Sequence, residues 1–117
     1  MTNWIALNTE QGVEQIAERS KTVPCLIFKH STRCSISTTA KSRLERNWNF
    51  DAAILEPYYL DLLSNRSVSN RVADFFEVEH QSPQVLLIVD GECVYEETHN
   101  AISVTEIDEQ LLHYRAV

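Results

Sequence analysis

"TVPCLIFKHSTRCSISTTAKSRLERNW", residues 22–48, changes its hydrophobic period halfway along. Up to His30 it is a continuous apolar run led by β-branched, proline and aromatic residues. That is the pattern of a strand covered on both faces, and such a strand belongs in the middle of a sheet. From Cys34 onward, Ile36, Ala40, Leu44 and Trp48 recur every fourth residue, while Lys41, Arg43, Glu45 and Arg46 fall elsewhere on the wheel. This spacing predicts an amphipathic helix with a cysteine at its start.

The flanking segments extend the same alternation. "WIAL" reads as a short strand, followed by a helix that turns Val13, Ile16 and Ala17 inward, with Asn8 or Thr9 as cap and Gln11 placed for a capping box on Asn8. "EPYYLDLLSN" supplies another strand, and Val68, Val72, Phe75 and Phe76 mark a helical stripe behind a Ser or Asn cap. In "PQVLLIVDGECVYEE" two strand-like segments meet at Asp90-Gly91, a pair suited to a type I′ hairpin turn. Ser103 with Glu106 forms a capping-box signature ahead of Ile107, Leu111 and Tyr114. The order is βαβαβαββα: an α/β protein with a central mixed sheet flanked by helices, in the order of the thioredoxin fold.

Composition narrows the function. With 117 residues and 44% hydrophobic content, one domain spanning 1–117 is expected. Ten Lys plus Arg against seventeen Asp plus Glu give a formal charge of -7, which argues against nucleic acid as a partner. The N-terminal residues lack the basic and apolar regions of a secretory signal, and no apolar stretch is long enough to span a bilayer, so a cytoplasmic protein without membrane contact is expected. Three cysteines, an odd number, make a structural disulfide framework improbable.

Each thiol is therefore judged on its surroundings. A helix start supplies partial positive charge and unpartnered N–H groups, and Lys29, His30 and Arg33 add basic neighbours with no acid nearby; both favour the thiolate of Cys34. A dithiol oxidoreductase carries its resolving thiol three residues later, and here that place is Ser37, so no local disulfide forms. Cys25, inside "PCLIF", reads as a packing residue. Cys93, just past the hairpin turn, is the candidate resolving thiol. His30, Cys34 and His80 match no zinc spacing, and no metal is expected.

"FKHSTRCSIS" (28–37), "YYLDLLSNRSVSN" (58–70) and "HQSPQVLLIVDGECVYEETHNAIS" (80–103) together resemble the monothiol bacilliredoxins, small thioredoxin-fold proteins of the bacillithiol redox system. The resemblance implies that Cys34 is a nucleophile that accepts bacillithiol from mixed disulfides on client proteins, with an external low-molecular-weight thiol completing the cycle. Bacillithiol is then a co-substrate, and no bound cofactor is expected. It further implies that Ser37 replaces a second cysteine, that Ser82-Pro83 is the cis-proline turn facing the thiol, and that the backbone of Ser82 positions substrate while Pro83 shapes the groove. Lys29, His30 and Arg33 would attract the malate carboxylates of bacillithiol. Arg33 before the cysteine and Ser35 after it depart from the family's usual Thr-Cys-Pro-Ile-Ser. Two other readings stand beside this one: a non-catalytic thioredoxin-fold binding module using the Ser82-Pro83 groove, and a glutathione-dependent monothiol glutaredoxin-like protein, although the segment Cys-Gly-Phe-Ser is absent.

Overall fold

The computed structural model describes residues 2–115. Strands and helices follow as β1 (Ile5–Ala6), α1 (Glu10–Arg19), β2 (Cys25–His30), α2 (Ser35–Asn47), β3 (Glu56–Asp61), α3 (Arg66–Phe76), β4 (Gln84–Val89), β5 (Glu92–Thr98), a 3-10 turn (His99–Ala101) and α4 (Val104–Arg115). The five strands lie in the order β1-β3-β2-β4-β5. Both β1 and β2 run parallel to β3, whereas β4 is antiparallel to both β2 and β5. The central strand is thus β2, and all six of its residues are buried.

Two apolar layers close on this sheet. Cys25 and Ile27 of β2 face Val13, Ile16, Val68, Val72 and Phe76 from α1 and α3. Leu26 and Phe28 face Ala40, Leu44, Ile107 and Leu111 from α2 and α4. A strand's period of two thus sends neighbouring residues of β2 into different layers.

Local chemistry explains the element ends. Thr9, and not Asn8, caps α1: its Oγ1 accepts the Gly12 N–H at 3.0 Å. A Cβ at residue 12 would lie 2.8 Å from Leu7 Cδ1 and 3.2 Å from the capping Thr9 Oγ1, so a side chain there would have to displace the Leu7 methyl. Asp90 and Gly91 both have positive φ, 54° and 81°, as a type I′ turn demands. Ser103 Oγ accepts the Glu106 N–H at 3.1 Å at the head of α4.

Two positions of the predicted helical stripes differ. Ile36 is 43% exposed, and Ser37 is buried in its place. A strict four-residue spacing slips by about 40° per step on a helix of about 3.6 residues per turn, so three steps back from Trp48 carry Ile36 off the buried face. Phe75 is also exposed; its ring packs edge-on against Phe76 and beneath the Arg71 guanidinium.

Candidate active site

Cys34 occupies the N-cap position of α2 and makes no side-chain capping bond. Its backbone is held at both ends: the N–H donates to Ser31 O at 3.1 Å, and the carbonyl accepts the Thr38 N–H at 3.0 Å. The side chain is a half-buried free thiol. The first turn of α2 carries no acidic residue, so the thiol meets the positive end of the helix alone.

One turn further on, Ser37 is fully buried. Its Oγ accepts the Ser31 N–H at 3.0 Å and lies 2.6 Å from His30 Nδ1. The Ser31 N–H fills one acceptor site of the hydroxyl, and the direction of the second bond, between Oγ and Nδ1, follows the ring tautomer. His30 titrates below its ordinary range, first because it is buried and then because of the Lys41 charge; Asp61, Ser37 and Glu45 pull the other way. The place of a second thiol is thus filled by a hydroxyl whose bonds brace the turn leading into Cys34.

Ser82 and Pro83 approach the same end of β2. The peptide bond between them is cis. The last β2–β4 pair is Lys29↔Gln84. Ser82 and Pro83 immediately precede that pair, at the end of β2 from which the chain runs on to Ser31, whose carbonyl holds the Cys34 N–H. Pro83 is buried and its carbonyl accepts the His99 N–H at 3.1 Å, while Ser82 Oγ is shielded without a partner among the described residues.

The basic cluster read from sequence comes apart in space. Lys29 is fully buried and His30 is 4% exposed, so neither reaches a carboxylate arriving from solvent. The Lys29 side chain passes to the layer opposite α2, where Nζ lies 3.2 Å from His80 Nδ1 and 3.4 Å from Ser69 O. Only Arg33 of the three is exposed. The physical reason is strand alternation: Lys29 and His30 are neighbours in β2 and must point to opposite faces.

The other thiols lie elsewhere. Cys25 is fully buried, and burial together with Glu56 pushes its thiol up to about 12. Cys93 pairs with Ile88, which in turn pairs with Cys25, so it sits at the other end of β2 from Cys34. Five residue steps, roughly 17 Å, separate the two ends of β2, well beyond the reach of about 7 Å between bridged Cα atoms. Burial also pushes the Cys93 thiol up to about 11. Strand register thus sets Cys93 at the end of β2 away from Cys34 and lends no support to Cys93 as the resolving thiol.

Among the described residues no three His, Cys, Asp or Glu side chains converge as a metal site would need. His30 and His80 lie against opposite faces of the sheet, one bonded to Ser37 of α2 and the other to Ser69 of α3. No helix of the described residues is long and apolar enough to cross a membrane. Sequence reasoning missed the partnership of His80, Ser69 and Gln84 with β2. The only sequence signal for it was a lysine in a strand read as covered on both faces.

A lone half-exposed thiol at a helix start, with a Ser-Pro turn drawn up beside the strand that leads into it, is what thiol exchange requires, and it defines a thioredoxin-fold thiol-disulfide oxidoreductase. A solved structure described as a candidate oxidoreductase with a thioredoxin fold is similar at 30% identity and a TM-score of 0.74, covering 90% of each chain. The fold is shared with thioredoxin from Malassezia sympodialis, at 10% identity and a TM-score of 0.73 over 97% of this chain and 91% of that one. Thioredoxin from Fasciola hepatica matches at 17% identity and a TM-score of 0.69, over 97% and 98% of the two chains. The chain belongs to the monothiol bacilliredoxin family: the family profile described as Monothiol bacilliredoxin BrxC matches residues 5–107.

Proposed function

We propose that this oxidoreductase removes bacillithiol from mixed disulfides on client proteins, with Cys34 as nucleophile. The observation that carries the reading is the pairing of a half-exposed Cys34 at the start of α2 with a buried, hydrogen-bonded Ser37 where a dithiol enzyme has its second cysteine. The Cys34 thiolate attacks the bacillithiol sulfur. A new S–S bond joins Cys34 to bacillithiol as the old bond breaks, and the client leaves as a thiolate that takes a proton from water. With no second thiol within reach in the folded chain, an external low-molecular-weight thiolate attacks the Cys34 mixed disulfide and releases Cys34. Bacillithiol is thus a co-substrate. Backbone pairing at Ser82 orients the incoming disulfide, and Pro83 walls the groove.

Of the three basic residues, the exposed Arg33 is the one positioned to meet the carboxylates of bacillithiol from solvent. His30 acts through Ser37 on the shape of the turn.

The test is to mix the reduced protein with a bacillithiolated protein and follow both intact masses with time, with Cys34→Ser as control. Transfer of the adduct to the wild type and not to the variant is the expected result. A Cys34 that alkylates readily yet accepts no adduct sinks the substrate assignment. One that does not alkylate at all turns the reading towards a non-catalytic binding module.

A further inference from the structure

Lys29 is the one fully buried charged side chain in the structure's described residues, and the exchange chemistry does not use it directly. None of the ion pairs among the described residues includes it; its ammonium is met by the Ser69 carbonyl and by His80 Nδ1 alone. An ammonium only donates, so His80 accepts on Nδ1 and its ring is neutral. Burial of such a group without an anion costs stability, so packing gives no account of it. Desolvation pushes the Lys29 ammonium down to about 8, which keeps it largely charged at neutral pH.

The place where its charge is spent is specific. His80 lies two residues before Ser82. The residues on either side of His80 are tied from β4: Gln84, the register partner of Lys29, donates from Nε2 to Glu79 O at 3.1 Å and accepts the Gln81 N–H at 3.3 Å. Gln84 is itself fully buried, and its amide is steadied by Glu96 Oε2 at 3.0 Å. Residues 79, 80 and 81 are thus each fixed by a buried polar side chain of the two adjoining strands, immediately ahead of the residue that meets substrate. His80 Nδ1 is also 3.3 Å from Ser69 Oγ, which links the segment to α3.

We propose that Lys29, acting through His80, is a positioning residue for thiol exchange: it fixes segment 79–82 so that the Ser82 backbone is presented to the incoming mixed disulfide. This rests on the assignment of Ser82 made under the proposed function. Binding of extended substrate depends on Lys29, whereas the intrinsic reactivity of Cys34 does not, because the two lie against different faces of the sheet.

The experiment compares wild type, Lys29→Met, His80→Ala and His80→Gln, the last of which restores an acceptor. Three readouts are taken: Cys34 alkylation by iodoacetamide, the KM and kcat for exchange with a bacillithiolated protein and with a nitrothiobenzoate mixed disulfide of a peptide, and amide hydrogen exchange at Gln81 and Ser82. Expected are unchanged alkylation, a KM raised roughly ten-fold in Lys29→Met and His80→Ala, recovery in His80→Gln, and faster amide exchange confined to 79–82. Equal slowing of alkylation and exchange in the variants, or unchanged amide exchange at 81 and 82 in Lys29→Met, overturns the proposal. Wild-type exchange with the peptide disulfide and not with the bacillithiolated protein removes bacillithiol as substrate and leaves Lys29 to be judged on the peptide. If the wild type exchanges with neither, both readings fall.

Discussion

Lys29 and His30 are adjacent in sequence, both basic and both buried, yet they serve opposite halves of the molecule. His30 turns towards α2, where a 2.6 Å contact with Ser37 makes it part of the turn that holds Cys34. Lys29 turns towards α3 and the loop before β4, carrying a charge into a layer that offers a carbonyl and an imidazole but no carboxylate. The first is a ring bonded through Nδ1 to a buried hydroxyl and the second an incompletely compensated ion. Their difference shows that a cluster of like residues in a strand is not a cluster in space, and that the cost of burial depends on the partner and not on the residue type.

The sharpest way to break this comparison is to delete each group. His30→Ala removes a buried ring and orphans Ser37, and it should destabilise the fold by about 3 kcal/mol in urea unfolding. Lys29→Met should be neutral or stabilising by roughly 1–3 kcal/mol, because a buried ion gives way to an apolar chain of similar length. Equal losses in the two variants would erase the distinction.

Titration tests the same point from the wild type. Burial lowers Lys29 from 10.5 to about 8 in the folded protein, so between these values the unfolded chain binds more protons. Stability therefore carries its full penalty below pH 8 and should recover, by up to about 3 kcal/mol, as pH rises from about 8 towards 10.5. The difference between wild type and Lys29→Met, followed by denaturant midpoint against pH, isolates this contribution from the tyrosines that titrate higher.

On the α2 side, Ser37→Cys would place a thiol one turn from Cys34 and sever the His30 bond. The oxidised variant should lose the mass of two hydrogens and become resistant to alkylation, while the wild type does not. The smallest effect is expected at Arg33, which lies in solvent. Arg33→Ala should slow adduct transfer only a few-fold at low ionic strength and not measurably at high salt, since an exposed charge is screened over a Debye length of about 10 Å at 0.1 M. A large, salt-independent loss would mean that Arg33 contacts substrate directly.

Much of this is legible in the sequence. The buried run ending at His30, the helix opened by Cys34 and the Asp90-Gly91 turn each rest on local rules of period and turn chemistry, and each stands where it was read. The candidate site was legible only in part. Cys34 and Ser37 share one helical turn, and their relation follows from spacing. Lys29, His30 and Arg33 were grouped because sequence distance is short, although alternation in a covered strand forbids it. The position of Cys93 just past the turn says nothing of which end of the sheet it meets, because that depends on the pairing of β5 with β4 and of β4 with β2.

Order of elements, the centrality of β2 and the chemistry open to a thiol at a helix start were written in the chain itself, because they depend on periodicity and on groups within a turn of one another. Which face each basic residue joins, what His80 and Gln84 hold, and the separation of Cys93 from Cys34 were decided by strand pairing. Register is a relation between distant segments, and a shift of one residue would exchange the faces.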